Sequence, residues 1–370
     1  MAKKKASAKF DDVVSNDILS SYGDILTAGN DVLNELQELE VISVSPAIDL
    51  ALGGGIREGS QVQMSGPEKA GKTTTCMQLI AKCQALGKED ILYVATEGRL
   101  TKENFIGIPG LDPSGIKIMC PTHGKEVIYA EDYLNAISDY IRNKPGCIVI
   151  VDSLSNMVPQ QLTDEQLRLG RRPSLPRLLS DYFKLISPII VLRKAICVYV
   201  THLITNTGGG PWSPSKVSDC GVMIKYAVST NMTITHTSKW CEGTKDDGEQ
   251  IGQRVHWKMT TSAAGGSPNK TAESWLRYGA GLDEVQEIAQ MATELAMITK
   301  SGSWYTINAA IMNKDKPAVA KFLEANDIKT DDNDAVTKAF KFQGVQKLTD
   351  FLYANTEIKD LIYSEIRSIL

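Results

Sequence analysis

No apolar run in the chain approaches the roughly 18 residues that span a bilayer, which argues against a membrane-crossing helix. The basic start, with Lys3, Lys4 and Lys5, is followed by no apolar region, so it reads as a solvated tail and not a secretory signal. Seven cysteines (Cys76, Cys83, Cys120, Cys147, Cys197, Cys220 and Cys241) include no C-x-x-C pair, which argues against a zinc site or a thiol–disulfide motif. Several lie in apolar runs, and the set reads as reduced core residues of a cytosolic protein. The four histidines are dispersed, aromatic residues make up only 6%, and no internal repeat is visible. A net charge of −4 denies the chain a globally basic surface, so any nucleic-acid site must be a local basic patch. What remains is an ordinary globular composition, 42% hydrophobic and 23% charged, in 370 residues, enough for one large domain with satellites or for two domains.

Against this plain background one segment stands out. Residues 66–73 read Gly-Pro-Glu-Lys-Ala-Gly-Lys-Thr, a complete G-x-x-x-x-G-K-[ST] pattern. Gln61 to Ser65 before it reads as a short strand. After it, Cys76, Leu79, Ile80 and Cys83 fall on one face of a helix running from Lys72 to Leu86. Strand, loop and helix in that order are the context a phosphate-binding loop needs. Gly66, Pro67, Glu68, Lys69, Ala70 and Gly71 form the loop whose N–H groups surround phosphates. The helix N-terminus aims its partial positive charge at the same anion. Lys72 reaches the β- and γ-phosphates, Thr73 offers a hydroxyl to Mg²⁺, and Thr74 completes the first turn.

Apolar strand-like runs recur downstream: Ile91 to Ala95, Ile116 to Cys120, Cys147 to Val151 and Ile196 to Val200. Helical stretches such as Glu131 to Arg142 and Leu178 to Leu192 lie between them. That alternation predicts a mostly parallel sheet covered by helices on both faces. Met232 to His236 and Val255 to Thr260 lack long helical connections and read as antiparallel additions at one edge. The organisation expected is a tail and helical segment over 1–40, an ATPase core over 41–285 and a small α-rich domain over 286–370. In the first segment Ile18, Leu19, Tyr22, Ile25 and Leu26 keep helical spacing. In the last, Ile358, Leu361, Ile362, Ile366 and Ile369 share one helix face.

Four further features carry chemistry. Asp152 ends the Cys147–Val151 strand, where a carboxylate can hold Mg²⁺ or its waters beside the phosphate loop. Glu97, just past the Ile91–Ala95 strand, is placed to orient or activate an attacking water. His202 ends the next strand and can sense the γ-phosphate, ahead of a glycine-rich loop from Thr205 to Asp219 with Trp212 and Lys216. An aromatic and a base in such a loop suit single-stranded nucleic acid, by stacking and phosphate contact. A second loop, Pro159 to Pro176, carries Arg168, Arg171 and Arg172, with Arg177 just after, and forms the local basic patch the net charge demands. The bland readings are a surface Glu97, a core His202 and a solvated arginine face.

Taken in order, these motifs resemble the RecA family of recombinases. The loop Gly66 to Thr74 and the upstream Ser45-Pro46-Ala47-Ile48-Asp49-Leu50-Ala51-Leu52-Gly53 are close to its signature. Val151-Asp152-Ser153, Gly221 to Tyr226, Tyr278 to Leu282 and Gly302-Ser303-Trp304-Tyr305 follow collinearly, over roughly residues 40–370. The resemblance implies an ATP- and Mg²⁺-dependent DNA-stimulated ATPase in the bacterial or phage-infected cytoplasm, with Glu97 catalytic. Lys72 and His202 join Glu97 in the expected catalytic set, and the resemblance also implies a helical filament of identical subunits on single-stranded DNA, exchange with double-stranded DNA, and a single-strand-binding protein and a mediator as partners. The family usually has Gln where His202 stands, and phage recombinases of the UvsX type look similar there. The family's stacking Tyr aligns near Asn104, with Phe105 adjacent, and its two interface lysines are matched here only by Lys258. The competing readings are a RecA-fold hexameric helicase or other ring ATPase, and a DNA-coating module that binds nucleotide structurally.

Overall fold

The computed structural model describes residue 27 and residues 29–123, 126–160, 175–205, 216–221, 223–242 and 248–369. The chain divides into two compact units, Met1–Glu40 and Val41–Leu370. In the first unit, helix α1 (Gly29–Gln37) carries no buried side chain. The helical spacing from Ile18 to Leu26 lies outside the described residues.

The second unit opens with β1 (Val41–Ile42), α2 (Pro46–Leu52) and β2 (Ile56–Arg57), with β1 and β2 paired antiparallel. Pro46 sits at the start of α2, where its missing N–H is no loss. The helix stops at Gly53 in the left-handed region, φ 83°, and a Cβ there would lie 2.5 Å from the Gly266 backbone nitrogen.

Next come β3 (Gln61–Gly66), α3 (Lys72–Ala85), β4 (Ile91–Ala95), β5 (Ile116–Met119) and a small hairpin of β6 (Thr122–His123) and β7 (Glu126–Val127). They are followed by α4 (Ala130–Asn143), β8 (Ile148–Asp152), α5 (Leu175–Leu192), β9 (Ile196–Thr205), β10 (Lys216–Ser218) and α6 (Met223–Ala227). Four strands close the core: β11 (Thr230–Cys241), β12 (Gln250–Thr261), β13 (Lys270–Arg277) and β14 (Gly281–Leu282).

Across the main sheet the order is β14-β13-β12-β11-β3-β9-β8-β4-β5, with β10 paired to β9. From β11 to β5 neighbours run parallel, and from β11 to β14 they run antiparallel. The sheet is buried on both faces, which is why β4, β8 and the first half of β9 are continuously apolar. Period-two alternation sorts them: Ile148 and Ile150 of β8 pack with α3 residues Cys76, Leu79 and Ile80. Val149 and Val151 point the other way, to Tyr133 and Ile137 of α4 and Phe183 and Ile186 of α5.

The remainder comprises α7 (Glu284–Glu294), β15 (Ile298–Ser301), β16 (Trp304–Ile307), α8 (Asn308–Met312), α9 (Pro317–Ala325), α10 (Asn333–Ala339), β17 (Lys341–Gln343), α11 (Val345–Ala354) and α12 (Thr356–Ile369). It gathers its own core, including Ile288, Phe340, Leu352, Ile358, Ile362 and Ile366.

Several expectations shift. The C-terminal region is not purely helical: β15, β16 and β17 form a three-stranded sheet there. Among the described residues helix α5 runs from Leu175, so Pro176 and Arg177 belong to it. The Thr205–Asp219 stretch is not all irregular, because Lys216–Ser218 pairs with β9. Cys120 is exposed, while the other six cysteines are buried. Strand β13 had no expectation attached, since its Lys270–Arg277 sequence is polar at every second position or more.

Glu287 of α7 is 1% exposed and accepts the Ala47 N–H of α2 at 2.9 Å. Burial pushes its carboxyl up to about 8. The folded value lies above the unfolded one, so this group favours folding most at acid pH, and the benefit is lost as pH rises through about 8. Burial also raises Asp49, to about 6, so from pH 6 to 9 Glu287 is the one of these two carboxyls that still changes the balance. Glu287→Gln keeps the acceptor oxygen and should flatten the stability profile in that range, where wild type should lose on the order of a few kcal/mol. Denaturant titration at several pH values measures both curves, and parallel slopes would show that Glu287 does not set the dependence.

Candidate nucleotide-binding site

The carboxyl ends of the parallel strands converge on one edge. Gly66 of β3 is level with His202 of β9, and Ala95 of β4 is level with Asp152 of β8; His202 does not end its strand as expected, because β9 runs on to Thr205 by pairing with β10. Glu97 follows two residues after Ala95. The register therefore brings together residues separated by more than a hundred positions, at the edge where open α/β sheets bind ligands.

The phosphate loop closes around Lys72. Its Nζ donates to the Gly66 carbonyl at 3.0 Å and the Pro67 carbonyl at 2.7 Å. Lys72 is buried, and desolvation lowers its ammonium below the ordinary value, while Asp152 and Glu97 oppose the shift. Gly71, φ 100°, turns the chain into α3. A Cβ at Gly71 would lie 2.5 Å from Leu276 Cδ1, an end of a side chain that can move aside, so it is the left-handed conformation that calls for glycine.

Thr73 Oγ1 donates to Asp152 Oδ2 at 2.6 Å, and Tyr93 OH donates to the same oxygen at 2.6 Å. Burial, with the nearby Asp152 charge, drives the Tyr93 hydroxyl well above its ordinary value, so it stays a donor. A hydroxyl and a carboxylate at contact distance are the hard oxygen donors that Mg²⁺ takes alongside phosphates and water. Among the described residues no group of three or more His, Cys, Asp or Glu could hold a metal by itself. The peptide Asp152–Ser153 is cis.

Glu97 is held from several sides. His202 Nε2 lies 2.8 Å from its Oε1, Ser153 Oγ donates to the same oxygen at 3.2 Å, and Arg99 stands 3.8 Å from Oε2. Burial alone would raise its carboxyl; the His202 hydrogen bond and charge, then Ser153 and Arg99, outweigh this and hold it below the ordinary value. An ionised Glu97 is the form able to accept a proton.

Beyond His202 the contacts continue. The His202 N–H donates to Ser155 Oγ at 3.0 Å, Ser155 Oγ donates to Asp219 Oδ1 at 2.7 Å, and the Asp219 N–H donates to the His202 carbonyl at 3.3 Å. Ser155 and Asp219 carry no motif, and only register reveals them.

A cavity of about 410 Å³ is lined by Glu68, Lys69, Ala70, Gly71, Lys72, Thr73, Thr74, Glu97, Asp152 and His202. Gln253, Leu276 and Tyr278 of the antiparallel strands and their turn complete it. Asn104 lines it too, and cannot stack as an aromatic ring does. Tyr278 supplies an aromatic ring there, with its hydroxyl held by Gln250 at 2.8 Å. Of the residues expected to contact DNA, Arg177 is exposed on α5, and Lys216 starts β10. Arg168, Arg171, Arg172 and Trp212 lie outside the described residues. No helix among the described residues is long and apolar enough to cross a membrane.

A phosphate loop between β3 and α3, with Asp152 at the end of β8, defines a P-loop α/β protein. The family model for the RecA N-terminal domain matches residues 16–283, and the chain belongs to the RecA family of recombinases. It is 26% identical over 305 residues to Protein RecA of Frankia casuarinae, covering 82% of this chain and 84% of that one. Protein RecA of Chlorobaculum tepidum is 26% identical over 307 residues, 82% and 84% covered, and that of Streptomyces rimosus 27% over 292 residues, 78% and 74% covered.

Proposed function

We propose that this chain hydrolyses ATP while assembled as a helical filament on single-stranded DNA, and that it pairs the bound strand with homologous double-stranded DNA. Residues 1–40 would serve as the oligomerisation segment, 41–285 as the ATPase core and 286–370 as the C-terminal domain. Residues Gly66 to Thr74 would bind the triphosphate, with Lys72 on the outer phosphates. Thr73 and Asp152 would hold Mg²⁺, which neutralises phosphate charge when bound. Glu97 orients the attacking water and accepts its proton. Arg168, Arg171, Arg172, Arg177, Trp212 and Lys216 are proposed DNA contacts. Histidine at position 202 fits a phage recombinase, acting in a bacterial or infected cytoplasm with a single-strand-binding protein and a mediator.

One observation carries this reading. The path Glu97–His202–Ser155–Asp219 joins the hydrolytic centre to the return of the segment assigned to DNA. A hexameric ring helicase is the alternative, and electron microscopy with an ATP analogue and single-stranded DNA decides: a helical filament supports the proposal, a closed ring overturns it.

His202→Ala should retain ATP binding and basal DNA affinity yet lose much of the ATP-induced gain in DNA affinity, since only differential contact can shift an equilibrium. It also removes the main partner that holds Glu97 down, so the acid limb of turnover should move to higher pH. Anisotropy with ATP analogue and with ADP at fixed salt, and a pH–rate profile, test the two halves.

A further inference from the structure

Behind the phosphate loop, a row of buried polar side chains crosses three adjacent strands. Gln63 of β3 donates from Nε2 to Thr201 Oγ1 of β9 at 3.0 Å. Asn231 of β11 donates from Nδ2 to Gln63 Oε1 at 2.9 Å. Thr233 Oγ1 donates to Asn231 Oδ1 at 3.4 Å and lies 2.9 Å from Ser65 Oγ of β3. Gln63 is 1% exposed, Thr201 0% and Asn231 8%. None of these residues lines the nucleotide cavity.

Their neighbours Val62, Met64, Val198, Val200 and Met232 are all fully buried and apolar. Apolar side chains would fill the same space, and a buried polar group is no asset to stability in itself. What the row adds is register. Backbone ladders tolerate small slides, whereas an amide satisfied at both ends by two different strands fixes three strands at once. The positions are telling. Thr201 immediately precedes His202. Gln63 lies on the strand that delivers the phosphate loop. Asn231 is the second residue of β11, the first long strand after the segment assigned to DNA. One glutamine therefore grips both flanks of that segment, before it through β9 and after it through β11.

We propose that Gln63 is a positioning residue for nucleotide-controlled DNA binding: it keeps β9 and β11 moving as one body with the phosphate loop. This rests on the proposed function above. Without it, the phosphate loop would still bind nucleotide, but the strand ends framing the DNA segment would respond independently.

The test uses the full chain with Gln63→Met, which keeps volume and loses both hydrogen bonds, and Thr201→Val, which keeps shape and loses one. Single-stranded DNA affinity is measured with ATP analogue and with ADP at fixed salt, beside nucleotide affinity and thermal stability. Expected is a fall of about tenfold in the ratio of the two DNA affinities, in the usual range of coupling between sites, with nucleotide affinity within about threefold of wild type. Adding His202→Ala to Gln63→Met should cause little further loss of the ratio, as for two members of one path. Should Gln63→Met fail to fold, Thr201→Val decides by the same ratio. Variants that lower thermal stability yet keep the wild-type ratio overturn the role of Gln63 and leave the recombinase reading standing. A wild-type chain with equal DNA affinity in both nucleotides overturns that reading, and this inference with it.

Discussion

Glu97→Gln should slow ATP turnover by about 10²–10⁴-fold while leaving ATP binding and DNA assembly near wild type. The substitution keeps length and the oxygen that accepts from Ser153, and removes only the negative charge able to take a proton. Because His202, Ser153 and Arg99 hold the carboxyl below its ordinary value, wild type keeps an ionised Glu97 at neutral pH. The loss should therefore appear in kcat and not in KM. Steady-state hydrolysis with saturating single-stranded DNA, beside a nucleotide titration, measures both. Turnover within threefold of wild type would make Glu97 a structural anchor for His202 and no more.

Lys72→Ala should abolish measurable hydrolysis and weaken nucleotide binding. The ammonium is buried, carries two carbonyl contacts and sits near Asp152 and Glu97, so it places positive charge where the proposed triphosphate would bind. Removing one donor aimed at developing charge typically costs about 10²–10³-fold in kcat, and Lys72 also contributes to ground-state binding. The fold should survive, because desolvation works against the charged form and alanine leaves no buried charge. Near-normal turnover in a folded Lys72→Ala chain would remove the phosphate-loop assignment. Equal loss of turnover and of thermal stability would place the effect in the fold instead.

The parts most legible in the sequence were those where one physical requirement dictates one residue type. Gly71, Lys72 and Thr73 announce a phosphate loop because left-handed backbone, cation and hydroxyl each have few substitutes. The parallel strands were legible because burial on both faces forces continuous aliphatic runs, as in Ile148 to Val151. Asp152, Glu97 and His202 could be named from their place after such runs, although only register shows that Glu97 and His202 touch. Ser155, Asp219 and the Gln63 row were invisible, since a serine, an aspartate and a glutamine are unremarkable until three strands align them. The sheet of β15, β16 and β17 was missed for a related reason. Its strands of 3–4 residues are too short to show period-two alternation against flanking helices.

The outer wall of the nucleotide cavity comes late in the chain. Gln253 donates to the Lys69 carbonyl at 3.2 Å across 184 positions, and Leu276 covers Gly71. During synthesis, then, the phosphate loop leaves the ribosome well before Gln253 and Leu276 can close over it. A nascent chain stopped short of Gln253 would display a complete motif and still lack a finished pocket. The wall of the cavity is thus completed only by the last strands of the core.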